Sequence, residues 1–349
     1  MFDLIRLCQA FFRAVPVIHA CIPNVSRARI AVAVVADVLL QEHGPYPVRE
    51  RQAAEQQPCH NPQYGVHKTI YYIMFTVKFL KGKMKFINKL LTASRENNSL
   101  LCVGLDPDPD KLPVKDVLEF NRAIIEATSD LVCAYKPNLA FYEALGLEGM
   151  QVLKKTVACV PKNIPVIGDA KRGDIGNTAV AYAKALFDYF KFDAVTLNPY
   201  LGYDSIEPFL DYAGRGIFIL CRTSNRSAVD FQDIVDNFGM KLYESVAMRA
   251  QEWNTRENIG LVVGATFPDE LKGIRKMCPD MPLLIPGIGA QGGDLEATVK
   301  NGIDARGEKA VIVAARQVLY ASKGKDYAQA ARQAALDLRD RINSLRNPG

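Results

Sequence analysis

The chain has 349 residues, 49% hydrophobic and 23% charged, a balance that excludes a disordered or fibrous protein and leaves length for a large buried core. Of its 43 basic and 38 acidic residues, ten and five lie in residues 1–83, so the net charge of +5 belongs to that leading segment and the remainder carries 33 of each. A neutral main region offers no basic face for nucleic acid, and because His19, His43, His60 and His67 all precede residue 84, it has no Ser-His-Asp triad, Cys-His pair or usual zinc site.

The leading segment comes first in the chain and has no barrel-like rhythm. Ile30 to Leu40 is apolar but short and interrupted by Asp37, and Thr69 to Leu80 contains Lys78, so neither reads as a membrane span. Met1 to Leu40 lacks the single apolar run of a secretory signal. The Pro, Gln and His content of Pro45 to His67 predicts an irregular, poorly ordered stretch. Met84 then opens K-F-I-N-K-L-L-T-A-S-R-E-N-N-S, which resembles the native amino terminus of a compact enzyme. The expected organisation is therefore a main domain over 84–349 and an extension over 1–83 that is either dispensable or an upstream reading-frame artefact. Mass spectrometry of the protein from its own source tests this boundary.

From residue 100 onward, short apolar and β-branched runs alternate with helical patterns, the mark of βαβ units around a parallel sheet. Strands are predicted at Leu100 to Leu105, Leu131 to Lys136, Pro165 to Asp169, Ala194 to Leu197, Gly216 to Cys221, Ile259 to Gly264, Met281 to Pro286 and Ala310 to Ala314. Between them the pattern predicts helices such as Val114 to Ser129, Gly149 to Val160 and Asn177 to Phe190, and Tyr327 to Leu345 closes the chain. Eight strands over this length predict a single (β/α)8 TIM barrel, which typically takes about 250 residues. A doubly wound open sheet is the alternative, to be decided by strand order. Eight cysteines occur without a C-x-x-C pair, and Cys102, Cys133 and Cys221 lie in apolar runs as buried small hydrophobes, which indicates a reducing, cytoplasmic setting.

In a parallel barrel the reacting groups project from the carboxyl ends of the strands. The first strand ends in Asp106, placed to accept from a sugar hydroxyl; the plainer role is a turn cap before Pro107. The second strand brings Lys136 to the same rim, where solvated lysines are common. The third reads Val166-Ile167-Gly168-Asp169-Ala170-Lys171-Arg172-Gly173-Asp174, and strand alternation turns Asp169 and Lys171 the same way, into the barrel mouth. A surface ion pair is the simpler explanation, but a pair at a strand end behind apolar or small residues is partly desolvated, where an unpaired charge costs several kcal/mol, roughly. After the seventh strand comes Pro286-Gly287-Ile288-Gly289-Ala290-Gln291-Gly292-Gly293, and after the eighth Arg316. These two loops are the recurrent phosphate site of such barrels: glycines let backbone N–H groups approach an anion, and an Arg fork grips its oxygens. Trp253 and the methionines read as packing.

With these residues in view, D-A-K-R-G-D-I-G-N-T at Asp169 to Thr178, P-G-I-G-A-Q-G-G at Pro286 to Gly293 and Arg316 resemble the orotidine 5'-monophosphate decarboxylase family. V-G-L-D-P-D-P-D at Val103 to Asp110, K-P-N at Lys136 to Asn138 and R-T-S-N at Arg222 to Asn225 resemble its bacterial and archaeal type 2 branch. The resemblance covers essentially all of 84–349 and implies decarboxylation of orotidine 5'-monophosphate to UMP, without metal or organic cofactor, by a homodimer with shared active sites. By the same resemblance Lys171 protonates C6 of the pyrimidine, Asp169 sits beside the substrate carboxylate, and Lys136 completes the charge array. Asp174, Ile175 and Thr178 belong to the neighbouring subunit's site. Asp106 binds ribose, Ser224 meets the pyrimidine edge, Pro286 lies near the ring, and Gln291 and Arg316 hold the 5'-phosphate with Gly292 and Gly293. The loop after Arg222 is the expected lid.

Three other readings share some of these features. A sugar-phosphate decarboxylase or aldolase of the same superfamily uses D-x-K-x-x-D with Mg2+, and activity in excess chelator separates it. A Schiff-base aldolase would need Lys171 or Lys136 neutral in apolar surroundings. A non-catalytic nucleotide-binding barrel would bind UMP without turning over orotidine 5'-monophosphate. A bifunctional UMP synthase is disfavoured, because 83 leading residues are too few for a phosphoribosyltransferase domain.

Overall fold

The apolar runs fold as eight parallel strands: β1 (Leu101–Leu105), β2 (Ala134–Pro137), β3 (Ile167–Arg172), β4 (Ala194–Leu197), β5 (Gly216–Arg222), β6 (Ile259–Val263), β7 (Leu283–Ile285) and β8 (Ala310–Ala314). A computed structural model describes residues 85–289 and 292–346. The boundary at Met84, the character of the leader and the placement of Gln291 lie outside the described residues.

Strand order is β2-β1-β8-β7-β6-β5-β4-β3, with every pair parallel. The two ends, β2 and β3, meet through the parallel bridges Tyr135↔Val166 and Asn138↔Asp169, which close the sheet into a barrel. This order excludes the open doubly wound sheet. Strands such as β1 and β6 are buried along their whole length, as expected where helices cover one side and the barrel interior fills the other, so these runs lack polar alternation.

One apolar cluster lies between barrel and helices. A second fills the interior with inward residues including Cys102, Ile167, Phe218, Val262, Leu284 and Val311. The helix Phe86–Glu96 plugs the amino-terminal end. Its Phe86 ring meets Phe218 edge-on at 5.7 Å between centroids, and Gly216 is glycine because a Cβ there would collide with the Phe86 ring. Buried Cys102, Cys133 and Cys221 behave as the hydrophobes expected. Burial pushes the Cys133 thiol up to about 12, which keeps it protonated and unreactive. Among the described residues no helix is long and apolar enough to cross a membrane.

The helical predictions held in position and moved at their ends. Val114 to Ser129 forms Val117–Thr128, started by Asp116, whose carboxylate accepts from the N–H groups of Leu118 and Glu119. Gly149 to Val160 begins earlier, at Gly146. Asn177 to Phe190 divides into an α-helix Gly176–Lys184 and a π-turn Ala185–Tyr189. The final helix spans Tyr327–Arg346.

Candidate active site

Chemistry concentrates at the irregular end of β3. Gly168 pairs Val195 and Arg172 pairs Leu197, so four steps along β3 match two along β4 and the ladder is broken between them. Lys171 lies inside this break with φ +47°, a left-handed conformation that costs a non-glycine residue about 1 kcal/mol or more. Simple alternation was the reason for expecting Asp169 and Lys171 on one side. Both do reach the mouth, but a bulge aims them there.

Thr196 of β4 fills the gap in the ladder. Its hydroxyl accepts from the Lys171 N–H at 2.9 Å and donates to Asp169 Oδ1 at 3.0 Å. One small side chain thus holds both the strained backbone and the carboxylate. Sequence reading treated Thr196 as part of an apolar strand; a hydroxyl at the carboxyl end of A-V-T-L was the available signal.

Around Asp169 the charges alternate. Lys171 Nζ lies 2.6 Å from Asp169 Oδ1, Lys136 Nζ lies 2.9 Å from Asp169 Oδ2, and Lys136 reaches Asp106 Oδ1 at 3.8 Å. Asp106 also accepts the Asn138 N–H at 3.1 Å. Burial alone would raise the Asp169 pKa, but Lys136 and Lys171 outweigh it and hold the carboxyl below its ordinary range. Burial alone would lower Lys136, but Asp106 and Asp169 outweigh it and raise its pKa. Asp106 is shifted upward, chiefly by burial, against the pull of Lys136. At neutral pH, Asp169 and Lys136 are therefore held charged. The Lys171 side chain is 48% exposed, against 5% for Lys136, so Lys171 is the member of the array open to a ligand.

These groups face a cavity of about 630 Å³, within the range that encloses a small-molecule ligand. The sequence-predicted residues Asp106, Lys136, Asp169, Lys171, Ser224, Pro286 and Arg316 all line it. Leu220, Val262, Leu284 and Val313 give it an apolar floor. Sequence reading also missed Tyr320, on the wall beside Arg316, and Thr223 and Asn225 beside Ser224.

Other predicted residues lie elsewhere. Asp174, Ile175 and Thr178 are not in the cavity wall; Ile175 is 53% exposed and Thr178 is exposed. Gly292 and Gly293 are outside the wall too, and their N–H groups donate to the carbonyls of Gly289 and Gly287 at 2.8 and 3.1 Å. Gly287 does line it, with φ +107°, and its neighbour Ile288 completes that stretch. The loop after β5 is fastened at its root. Gln232 accepts the Thr223 N–H at 2.9 Å and donates to its hydroxyl at 2.7 Å, and buried Arg222 reaches Asp233 at 3.3 Å. Gly264 is needed here, since a Cβ would come within 2.8 Å of Ser224.

A closed parallel barrel whose strand ends hold a fixed Asp/Lys array above an apolar floor has the make-up of a (β/α)8-barrel enzyme. Residues 99–334 match the family described as "Orotidine 5'-phosphate decarboxylase / HUMPS family". A curated relative named orotidine 5'-phosphate decarboxylase, from Dehalococcoides mccartyi, is 57% identical over 267 residues, covering 75% of this chain and 99% of that protein. Another of the same name, from Herpetosiphon aurantiacus, is 52% identical over 257 residues, covering 72% and 95%. Among solved structures, that of Leishmania donovani OMP decarboxylase matches with a TM-score of 0.68 and 40% identity, covering 75% of this chain and 99% of that one. The chain belongs to the orotidine 5'-phosphate decarboxylase family.

Proposed function

We propose the following mechanism for this chain as an orotidine 5'-monophosphate decarboxylase, a carboxy-lyase that forms UMP and CO2 in pyrimidine biosynthesis. The C6–carboxylate bond breaks heterolytically and CO2 departs, leaving the electron pair on C6. The Lys171 ammonium delivers a proton to that carbon and becomes an amine, which regains a proton from water. The pyrimidine ring delocalises a C6 carbanion poorly, so stabilisation has to come from fixed charge.

One observation carries this reading: Lys171 is the exposed end of a buried alternating array, Asp106–Lys136–Asp169–Lys171, in a cavity that Arg316 also lines. Asp169 keeps the ammonium charged and oriented and stands where the substrate carboxylate would be disfavoured. Asp106 takes the ribose, Ser224 the pyrimidine edge and Pro286 the ring face. Arg316 and Gln291 take the phosphate, with Gly292 and Gly293 shaping the loop around it. Asp106 and Asp169 both face Lys136, which favours this chemistry over a Mg2+-enediolate mechanism. We assign no cofactor.

The active unit in this proposal is a homodimer formed over residues 84–349, with Asp174, Ile175 and Thr178 completing the partner's site. Exposed Ile175 and Val180 after β3 and Tyr200, Leu201 and Tyr203 after β4 supply the apolar surface such an interface buries. Free buried thiols suit a cytoplasmic location. The loop after Arg222 acts as the lid, driven by binding energy from the phosphate.

The test is a spectrophotometric decarboxylation assay with and without chelator. Wild type is expected to turn over orotidine 5'-monophosphate at the same rate in both, and Lys171→Ala to lose about 10⁴-fold or more in kcat, at the upper end for general acid catalysis. Chelator-sensitive turnover, or an active Lys171→Ala, would overturn the mechanism.

A further inference from the structure

We propose that Tyr320 is a positioning residue that couples phosphate anchoring at Arg316 to the charge array, by way of Asp106. The inference rests on the reading of the site given above and extends it to a residue with no chemistry of its own.

Tyr320 ends the turn that Arg316 begins, its N–H donating to the Arg316 carbonyl at 3.1 Å. The two residues are therefore held by one turn of backbone after β8. From there the Tyr320 hydroxyl crosses to the loop after β1. It donates to the Asp106 carbonyl at 3.0 Å and accepts the Asp108 N–H at 2.8 Å. Its one proton and one lone pair are thus committed to the backbone on either side of Pro107, which fixes the direction of the loop. A residue present only to pack would need the ring and not the hydroxyl.

On the far side of this link the contacts run without a gap. The Asp106 carboxylate accepts the Asn138 N–H and faces Lys136, Lys136 pairs with Asp169, and Asp169 pairs with Lys171. A phosphate drawn onto Arg316 pulls on the turn that carries Tyr320. The hydroxyl passes that constraint to the backbone of Asp106, where the ribose and the first member of the array are held. Without the hydroxyl, Asp106 keeps its carboxylate partners and loses its tie to the phosphate rim. Coupling of this kind is an energy between the two sites.

The experiment is a double-mutant cycle on kcat/KM for orotidine 5'-monophosphate, using the full chain, Tyr320→Phe, Arg316→Ala and the double variant. Tyr320→Phe keeps the ring and its packing. Alone it is expected to lower kcat/KM about tenfold, the scale of two lost hydrogen bonds, and in the Arg316→Ala background less than about twofold. Equal factors in the two backgrounds, as a loop staple or a folding defect would give, overturn the proposal, and so does an unchanged rate in Tyr320→Phe alone. Absence of turnover by wild type would overturn the reading of the site and the inference together. Wild-type turnover with multiplicative factors would overturn the inference alone.

Discussion

The two walls of the cavity are built on opposite principles. The wall from β1, β2 and β3 presents buried, charged groups on strand ends: Lys136 is 4% exposed and Asp169 9%. The wall from the loops after β5, β7 and β8 carries Ser224, Gly287 and Arg316; the β7 loop behind it has left-handed glycines at 287, 289 and 292, and the β5 loop shows solvent Phe231 at 65% and Phe238 at 91% exposure. A reacting centre gains from groups held in place before substrate arrives, because no reorganisation is then needed in the transition state. A wall that has to admit a nucleotide and close over it gains from loops that move. The difference implies that substitutions on the first wall lower kcat and stability together, whereas those on the second raise KM and leave the fold alone.

Below the loss in Lys171→Ala, the next largest effect is expected on the rigid wall, at Asp169. Asp169→Asn leaves Lys136 buried with only the longer contact to Asp106, and breaking a buried pair in this way costs about 3–5 kcal/mol of stability. The pH dependence has a definite sign. Lys136 and Lys171, acting against burial, depress the folded pKa of Asp169. Its contribution is therefore complete above the ordinary carboxylate value of 3.8 and is lost as the pH falls through the lower folded value. Urea unfolding should find the gap between wild type and Asp169→Asn narrowing below that value. A gap constant from neutral pH into strong acid would mean that Asp169 is not the charge that Lys136 needs.

Arg316→Ala tests the opposite wall. The loss of charge-assisted hydrogen bonds worth about 1.5–3 kcal/mol should raise KM about 10- to 150-fold. Unfolding midpoints should stay near wild type, because Arg316 lines the cavity and makes no ion pair with an acidic side chain within 4 Å among the described residues. A matching loss of stability in this variant would erase the distinction between the walls.

What the sequence made legible follows the same division. The eight strands could be found because parallel strands buried on both faces are continuous apolar runs, and the rim residues because they terminate those runs in charge. Asp106, Lys136, Asp169 and Lys171 were all visible on that ground. Two kinds of information were hidden. The bulge that turns Lys171 toward Asp169 depends on the register between β3 and β4, which no single strand encodes. The links made by Thr196 and Tyr320 depend on the approach of residues 25 and 214 positions away, so a threonine in an apolar run and a tyrosine after a helical turn look like packing. Strand ends shifted for a related reason: Leu131 to Cys133 is apolar enough to be strand, but its ladder partners on β1 begin only opposite Ala134.

The smallest effect on the rigid wall, and its sharpest test, is expected from Thr196→Val. Valine matches threonine in shape, suits a strand and removes only the hydroxyl. Two hydrogen bonds go with it, one from the Lys171 N–H and one to Asp169 Oδ1. The left-handed backbone at Lys171 then loses the acceptor that stands in for the missing ladder bond, and Asp169 keeps its lysine partners with one constraint fewer. At roughly 1 kcal/mol per hydrogen bond, kcat should fall about five- to thirtyfold. KM should stay within about twofold, because the Thr196 hydroxyl is committed to the Lys171 N–H and to Asp169 and acts on the array, so the loss falls on transition-state stabilisation. If KM rose and kcat held, the hydroxyl would be serving substrate binding, and the rigid wall would not depend on the strand break being pinned in place.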